Sequence, residues 1–265
     1  MSALNYVGWD IGGAHLKMAR IAGNGKVLAV EQHATPLWQG LNCLEHSLMD
    51  VKSRLSTEPL IHSITTTGEL ADIFQNRAEG VNALLTGFCN LFREEDVRVY
   101  AGVAGLISII EASNQHQQVA SANWHASASF IANEQTDGIF IDIGSSTTDI
   151  IPFQSGKLCN RGFSDQERMR SDELLYTGIV RTPMMAVVSK VPFAGEWQSI
   201  AAEHFASMSD VYRITGELDE SHDLMPAADN GEKQISDSVR RVARMLGRDA
   251  EDFSQLGHYK DLARY

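Results

Sequence analysis

Cysteine, proline and basic charge are all scarce in this chain. Three cysteines occur in 265 residues, at Cys43, Cys89 and Cys159. Their number is odd and no C-x-x-C pair exists, which excludes a disulfide framework and a cysteine zinc site. A reducing compartment is therefore expected. The six prolines form no proline-rich linker. Lysine and arginine total 22 against 34 aspartates and glutamates, a net charge of −12. Such a surface repels phosphate backbones, so no nucleic-acid partner is expected. No apolar run approaches the roughly 18 residues of a membrane span, so no membrane partner is expected either. The opening stretch MSALNYVGWDIGG has no basic start followed by an apolar run, and no signal peptide is expected there. The localisation these features imply is cytoplasmic. The nine histidines show no H-x-x-x-H or H-E-x-x-H spacing, and no G-x-S-x-G elbow exists.

What is there is ordinary globular material, 43% hydrophobic, enough for one large domain or two modest ones. Tyr6–Gly12 and Ala14–Ala22 read as strands. Asn24-Gly25 is a turn signal, and Lys26–His33 completes an antiparallel meander. Leu41, Leu44, Leu48, Val51 and Leu55 then recur at threes and fours, which predicts a helix. Leu60–Thr67 and Val97–Val103 read as strands, and Val81–Phe92 and Asn123–Glu134 as helices. Near residue 137 the pattern restarts, with strands at Gly138–Ile143 and Thr147–Phe153 and a turn at Ser155-Gly156. From Trp197 onward the chain reads as helical, with helices over Ile200–Met208 and Ser236–Leu246. Arg240, Arg241 and Arg244 are expected on a solvated helix face.

The strongest feature is an internal echo. Asp10-Ile11-Gly12-Gly13-Ala14-His15-Leu16-Lys17 and Asp142-Ile143-Gly144-Ser145-Ser146-Thr147-Thr148-Asp149 both follow an apolar strand and lead into a second one. A glycine after a strand lets the backbone turn sharply and approach a ligand. Successive N–H groups of such a turn form an anion nest. Gly12, Gly13, Gly144, Ser145, Ser146, Thr147 and Thr148 are the candidate phosphate-binding residues, and Lys17 adds a point charge. Asp10 and Asp142 would repel phosphate unless a cation stood between them, which points to Mg²⁺.

WDIGGAHLK and FIDIGSSTTDI resemble the two phosphate loops of the actin-like ATPase superfamily, which includes sugar kinases, heat-shock chaperones and actin. The DIGSSTTDI form is most similar to the hydantoinase/oxoprolinase branch. Thr65–Asp72, Ser121–Trp124, Asp172–Pro183, Val191–Trp197, His204–Leu218 and Val239–Asp249 resemble one subgroup of it, the tetrahydromethanopterin-linked one-carbon-transfer proteins. The resemblance implies an α/β fold of two ribonuclease-H-like domains with mixed sheets, residues 1–136 and 137–265. Family members run longer than this chain. The second sheet is accordingly expected to be incomplete toward the C-terminus. After Gly216 only the isolated Gly231, Gly247 and Gly257 follow, so the usual adenosine loop is not found.

The resemblance implies a transferase of methanofuran or methylofuran biosynthesis. It would join γ-glutamyltyramine to an aminomethylfuran-methyl diphosphate and release pyrophosphate. The implied partners are thus a small diphosphate and a phenolic amine, and a homo-oligomer stays open. An ATP-dependent kinase or oxoprolinase-like hydrolase is the first alternative, and a non-catalytic sensor or scaffold the second. Metal ligation falls to Asp10 and Asp142, and Lys17 faces the departing charge. Glu69, Asp149 and Glu173 are three candidates for a base, and the sequence leaves the choice among them open. Glu69 reads equally as an acid facing a cleft and as a helix N-terminal carboxylate. Arg181 reads as a phosphate or carboxylate clamp or as a domain-closing ion pair. Asn123-Trp124 reads as core or as the wall of an aromatic pocket. His15 is expected on the solvent face of an edge strand.

Overall fold

The first meander forms because Val7, Trp9 and Ile11 alternate with polar or small residues, the period of a strand with one buried face. The computed structural model describes residues 5–55, 59–93, 96–250 and 255–265. Residues 1–4 of the opening stretch lie outside them. Two compact units emerge: residues 1–140 with 151–168, and residues 141–150 with 169–265.

In unit 1, β1 (Asn5–Ile11), β2 (His15–Ile21) and β3 (Val27–Ala34) make the meander, followed by α1 (Asn42–Arg54), β4 (Leu60–Thr66), α2 (Arg77–Leu91) and β5 (Asp96–Tyr100). Then come β6 (Leu106–Ser108), α3 (Ile109–Asn114), α4 (His116–Val119) and α5 (Asn123–Glu134). The six-stranded sheet has the order β3-β2-β1-β4-β5-β6, parallel at β1/β4 and β4/β5 and antiparallel elsewhere. Val7, Trp9, Ile11, Leu60 and Ile64 bury one face of this sheet under Leu44 and Leu48 of α1 and Val81, Leu84 and Phe88 of α2. Trp9 Nε1 donates to His62 Nδ1 at 2.9 Å inside this core, so the one ring satisfies the other.

The chain passes through both units along β7 (Gly138–Ile143) and β8 (Thr148–Gln154), which lie side by side in a small sheet with β9 (Lys157–Leu158) and β10 (Leu174–Leu175). After α6 (Asp165–Arg170), unit 2 holds α7 (Met184–Val187), β11 (Lys190–Phe193), β12 (Glu196–Ser199), α8 (Met208–Thr215), α9 (Ile235–Met245) and α10 (Leu256–Arg264). Val211, Ile214, Val239, Val242, Met245 and Tyr259 form its core.

Three expectations are corrected. Residues 190–199 are a hairpin, turned at Ala194 and Gly195 with φ of +52° and +87°, and the helix expected over Ile200–Met208 starts only at Met208. Arg241 is not on a solvated face. It is fully buried, with Nε 2.8 Å from Asp210 Oδ1 and Nη1 3.0 Å from Asp229 Oδ1. His15 is buried as well, because β3 lies outside β2 and takes the edge. Leu106–Val119 forms a short strand and two helices, where no element was expected.

Candidate active site

Each glycine loop is closed by the same bond. Gly12 N–H donates to His15 O at 2.9 Å, and Gly144 N–H to Thr147 O at 2.8 Å. The sequence echo is thus a repeated turn. A Cβ on Gly12 would meet His15 O at 2.9 Å, so that turn closes tightly only around glycine. The N–H groups of Gly13, Ser145 and Ser146 meet no acceptor among the described residues.

Around the first loop, register sets Asp10 opposite Lys17 on β2 and Thr65 on β4. Lys17 Nζ lies 3.2 Å from Asp10 Oδ2, and Thr65 Oγ1 donates toward Asp10 Oδ1 at 3.3 Å. Lys17 is half exposed.

Around the second loop, Thr177–Thr182 acts as a cradle. Ile179 N–H donates to Gly144 O at 3.1 Å, and Arg181 N–H to Ser145 O at 2.8 Å. Thr148 Oγ1 donates to Thr177 O at 2.7 Å. A Cβ on Gly178 would stand 2.5 Å from Ser146 N and 2.6 Å from Gly144 O, so only glycine admits this approach. Arg181 Nη1 donates to Ser146 Oγ at 3.3 Å, which ties the guanidinium to the loop.

The three acids considered as bases are all buried: Glu69 is 1% exposed, Glu173 4% and Asp149 8%. Glu69 lies in the first turn of a short 3-10 helix, Gly68–Leu70, which follows β4 and precedes α2, so it does stand at a helix N-terminus, with its carboxyl buried. Thr66 Oγ1 lies 3.2 Å from both Ile11 O and Glu69 Oε2. Ser121 Oγ lies 2.9 Å from Glu69 Oε1 and 3.3 Å from Asp165 Oδ2, which Arg77 Nη2 holds at 2.7 Å. Burial pushes the Glu69 carboxyl up to about 7, against hydrogen bonds that favour its ionised form. Trp124 is core, with the Arg168 guanidinium 4.0 Å from the ring centroid.

Mg²⁺ takes oxygen donors, keeps several waters and needs only one or two carboxylates. Asp10 fits this demand, since each of its oxygens accepts one hydrogen bond and retains a lone pair, and Asp142 is an exposed carboxylate. Among the described residues no group of three or more His, Cys, Asp or Glu comes together to hold a metal.

Sequence reasoning missed one pair. Tyr100 Oη lies 2.8 Å from His125 Nδ1, and Ser129 Oγ lies 3.3 Å from the same nitrogen. Burial lowers the imidazole pKa and raises that of the phenol. No spacing signal could have found this pair, because the sheet register and α5 bring the rings together.

The hydantoinase/oxoprolinase family profile matches residues 61–263. The chain belongs to this family. Two curated relatives are named (4-{4-[2-(gamma-L-glutamylamino)ethyl]phenoxymethyl}furan-2-yl)methanamine synthase. The protein from Methanocaldococcus jannaschii is 28% identical over 246 residues, covering 92% of this chain and 72% of the relative. The one from Methanococcus vannielii is 30% identical over 128 residues, covering 48% of this chain and 57% of the relative. Among solved structures, nucleotide-free acetone carboxylase, studied for ATP-dependent acetone carboxylation, aligns with 99% of this chain and 61% of its own. The TM-score is 0.54 at 10% identity, a likeness of fold. This hydantoinase/oxoprolinase family member thus has a mixed α/β, actin-like fold. Among its described residues no helix is long and apolar enough to cross a membrane.

Proposed function

We propose that this family member is a synthase of furan-cofactor assembly, a transferase that joins a phenol to a furan-methyl diphosphate and releases pyrophosphate. The substrates are γ-glutamyltyramine and an aminomethylfuran-methyl diphosphate, and the product is a methanofuran or methylofuran precursor. The observation that carries the reading is the repeated glycine turn, with N–H donors at Gly13, Ser145 and Ser146 available to an anion. The two relatives, named as synthases of a phenoxymethyl-furan methanamine, support the choice of product.

The chain's residues divide the work by charge. Gly12 and Gly13 with Lys17, and Gly144 through Thr148 with Arg181, bind and orient the diphosphate. Their dipoles and charges are strongest for the departing pyrophosphate, whose charge grows as the C–O bond breaks. Asp10 and Asp142 are the residues that would hold Mg²⁺, which when bound would neutralise phosphate charge. Glu69, which is buried, acts by positioning: it anchors the first loop through Thr66. Asp149 stands on the strand that leaves the second loop. The enzyme works in the cytoplasm on two small molecules.

The test is turnover of the two substrates with detection of pyrophosphate, in wild type and in Asp10→Ala and Asp142→Ala. Product and pyrophosphate in equal amounts from wild type, and neither from the folded variants, is the expected result. ATP consumption without pyrophosphate-releasing ether formation would replace this reading with the kinase or hydrolase one.

A further inference from the structure

In unit 1, α1 and α2 cover one face of the sheet. On the other face, register places Gly8, Ala19 and Ser63 in one row and Asp10, Lys17 and Thr65 in the next. The first row has almost no side-chain volume. A cleft of about 360 Å³ opens over it, bounded by Asp10, Lys17, Val30, Tyr100, Leu106 and Ala126. That volume suits a small organic ligand, and apolar walls with a few polar groups are the usual form of such a site. Asp10 on β1 and Tyr100 on β5 stand two strand spacings apart, about 10 Å across the sheet.

Tyr100 is one of the residues lining this cleft, and its hydroxyl meets His125 of α5. The groups packed against the imidazole include Tyr100 from β5, Ser129 and the Trp124 ring from its own helix and the uncharged ring of Phe163. The charged Arg168 lies over the neighbouring Trp124 ring. A neutral imidazole behind a tyrosine hydroxyl is arranged to take a proton delivered at the hydroxyl oxygen.

We propose that the cleft binds the aromatic ring of a phenolic amine, and that Tyr100 accepts the phenol's proton while handing its own to His125. The identity of the ring rests on the transferase reading above. In the step, the phenol oxygen forms a bond to the furan methylene carbon. The carbon–oxygen bond to diphosphate breaks, its electron pair leaving with pyrophosphate. The phenol proton moves to Tyr100 Oη, and the Tyr100 proton to His125 Nδ1, leaving an imidazolium. Tyr100 is the catalytic residue of the pair, and His125 acts through it. Because the imidazole must start neutral, kcat/KM falls as pH drops through its pKa. Burial moves that point below the ordinary 6.5.

The experiment is calorimetric titration of the full chain with γ-glutamyltyramine and, separately, Mg²⁺-pyrophosphate, beside pH profiles of turnover. Wild type is expected to bind the phenol. Ala19→Phe, which fills the cleft floor, is expected to weaken it at least about tenfold while pyrophosphate affinity stays unchanged. Leu106→Trp, at an exposed position on the cleft wall, gives the same reading if Ala19→Phe does not fold. Tyr100→Phe is expected to keep phenol affinity, lower kcat about a hundredfold and abolish the acidic limb. No phenol binding by wild type, unchanged affinity in the cleft variants, or an acidic limb that survives in Tyr100→Phe would overturn the proposal. Product formation with unaltered cleft variants defeats the cleft and leaves the transferase reading standing. Cleft-dependent phenol binding without product defeats the transferase reading and the proton relay, and leaves the binding site.

Discussion

Ser121 Oγ stands 2.9 Å from Glu69 Oε1. The same hydroxyl reaches Asp165 Oδ2, and it has one proton for two carboxyl groups. The count closes if Glu69 carries a proton: Glu69 donates to Ser121, Ser121 donates to Asp165, and Arg77 Nη2 donates to the same Asp165 oxygen. Burial, the main cause of the raised Glu69 pKa, favours this neutral form.

A stability profile follows from that proton. The folded value of about 7 lies above the ordinary 4.5, so the folded state holds more protons between those limits. Stability is full below about pH 4.5 and is lost as pH rises through about 7. The loss is of order 3 kcal/mol. Glu69→Gln keeps a neutral donor toward Ser121 and should flatten this slope. Thermal midpoints of both proteins from pH 5 to 8 would check it; a wild-type slope retained in the variant would contradict it.

Lys17 and Asp10 form a half-exposed ion pair, whose worth to folding is less than about 1 kcal/mol. Lys17→Met should therefore leave the melting temperature nearly unchanged. Mg²⁺-pyrophosphate affinity should nonetheless fall about tenfold or more, measured by calorimetry. A large stability loss with unchanged affinity would make the pair structural.

Arg241 in unit 2 presents the opposite case. Its guanidinium is fully buried and bonds Asp210, Asp229 and the Glu232 carbonyl. Arg241→Met removes one of the two cations paired with Asp210 among the described residues, leaving Arg213 at 3.4 Å, and should destabilise unit 2 by about 3–5 kcal/mol. Denaturant unfolding followed by near-ultraviolet circular dichroism would read this loss.

How far the sequence was legible depended on whether local signals agreed with tertiary ones. Asn123–Glu134 and Gly138–Ile143 were readable end to end, because propensity and periodicity coincide there. The hairpin at 190–199 was not, because Ala194 takes a left-handed turn position without being a turn residue, and Pro192 masks its strand. Arg241 looked like a solvated charge because its carboxylate partners lie 12 and 31 residues away. The glycine loops were legible because backbone geometry dictates glycine locally. Tyr100 and His125 were not, since their 2.8 Å contact exists only through the packing of α5 against the sheet.

Gly178→Ala carries the fourth prediction. The added methyl would press on Ser146 N, Gly144 O and the Ser145 carbonyl carbon, all of them backbone. The second loop must shift, and Mg²⁺-pyrophosphate affinity should fall about tenfold although residue 178 lies outside the loop sequence. Unchanged affinity would show that the second loop does not bind the anion.

The cradle of Thr177–Thr182 also means that DIGSSTTD is not a portable cassette. Grafted alone onto another strand–turn–strand scaffold, those eight residues would lose the carbonyl restraints from Ile179 and Arg181 and the Thr148–Thr177 bond. A transplant that keeps the anion nest has to carry two separate pieces of chain, and any search for this nest in other proteins has to look for both.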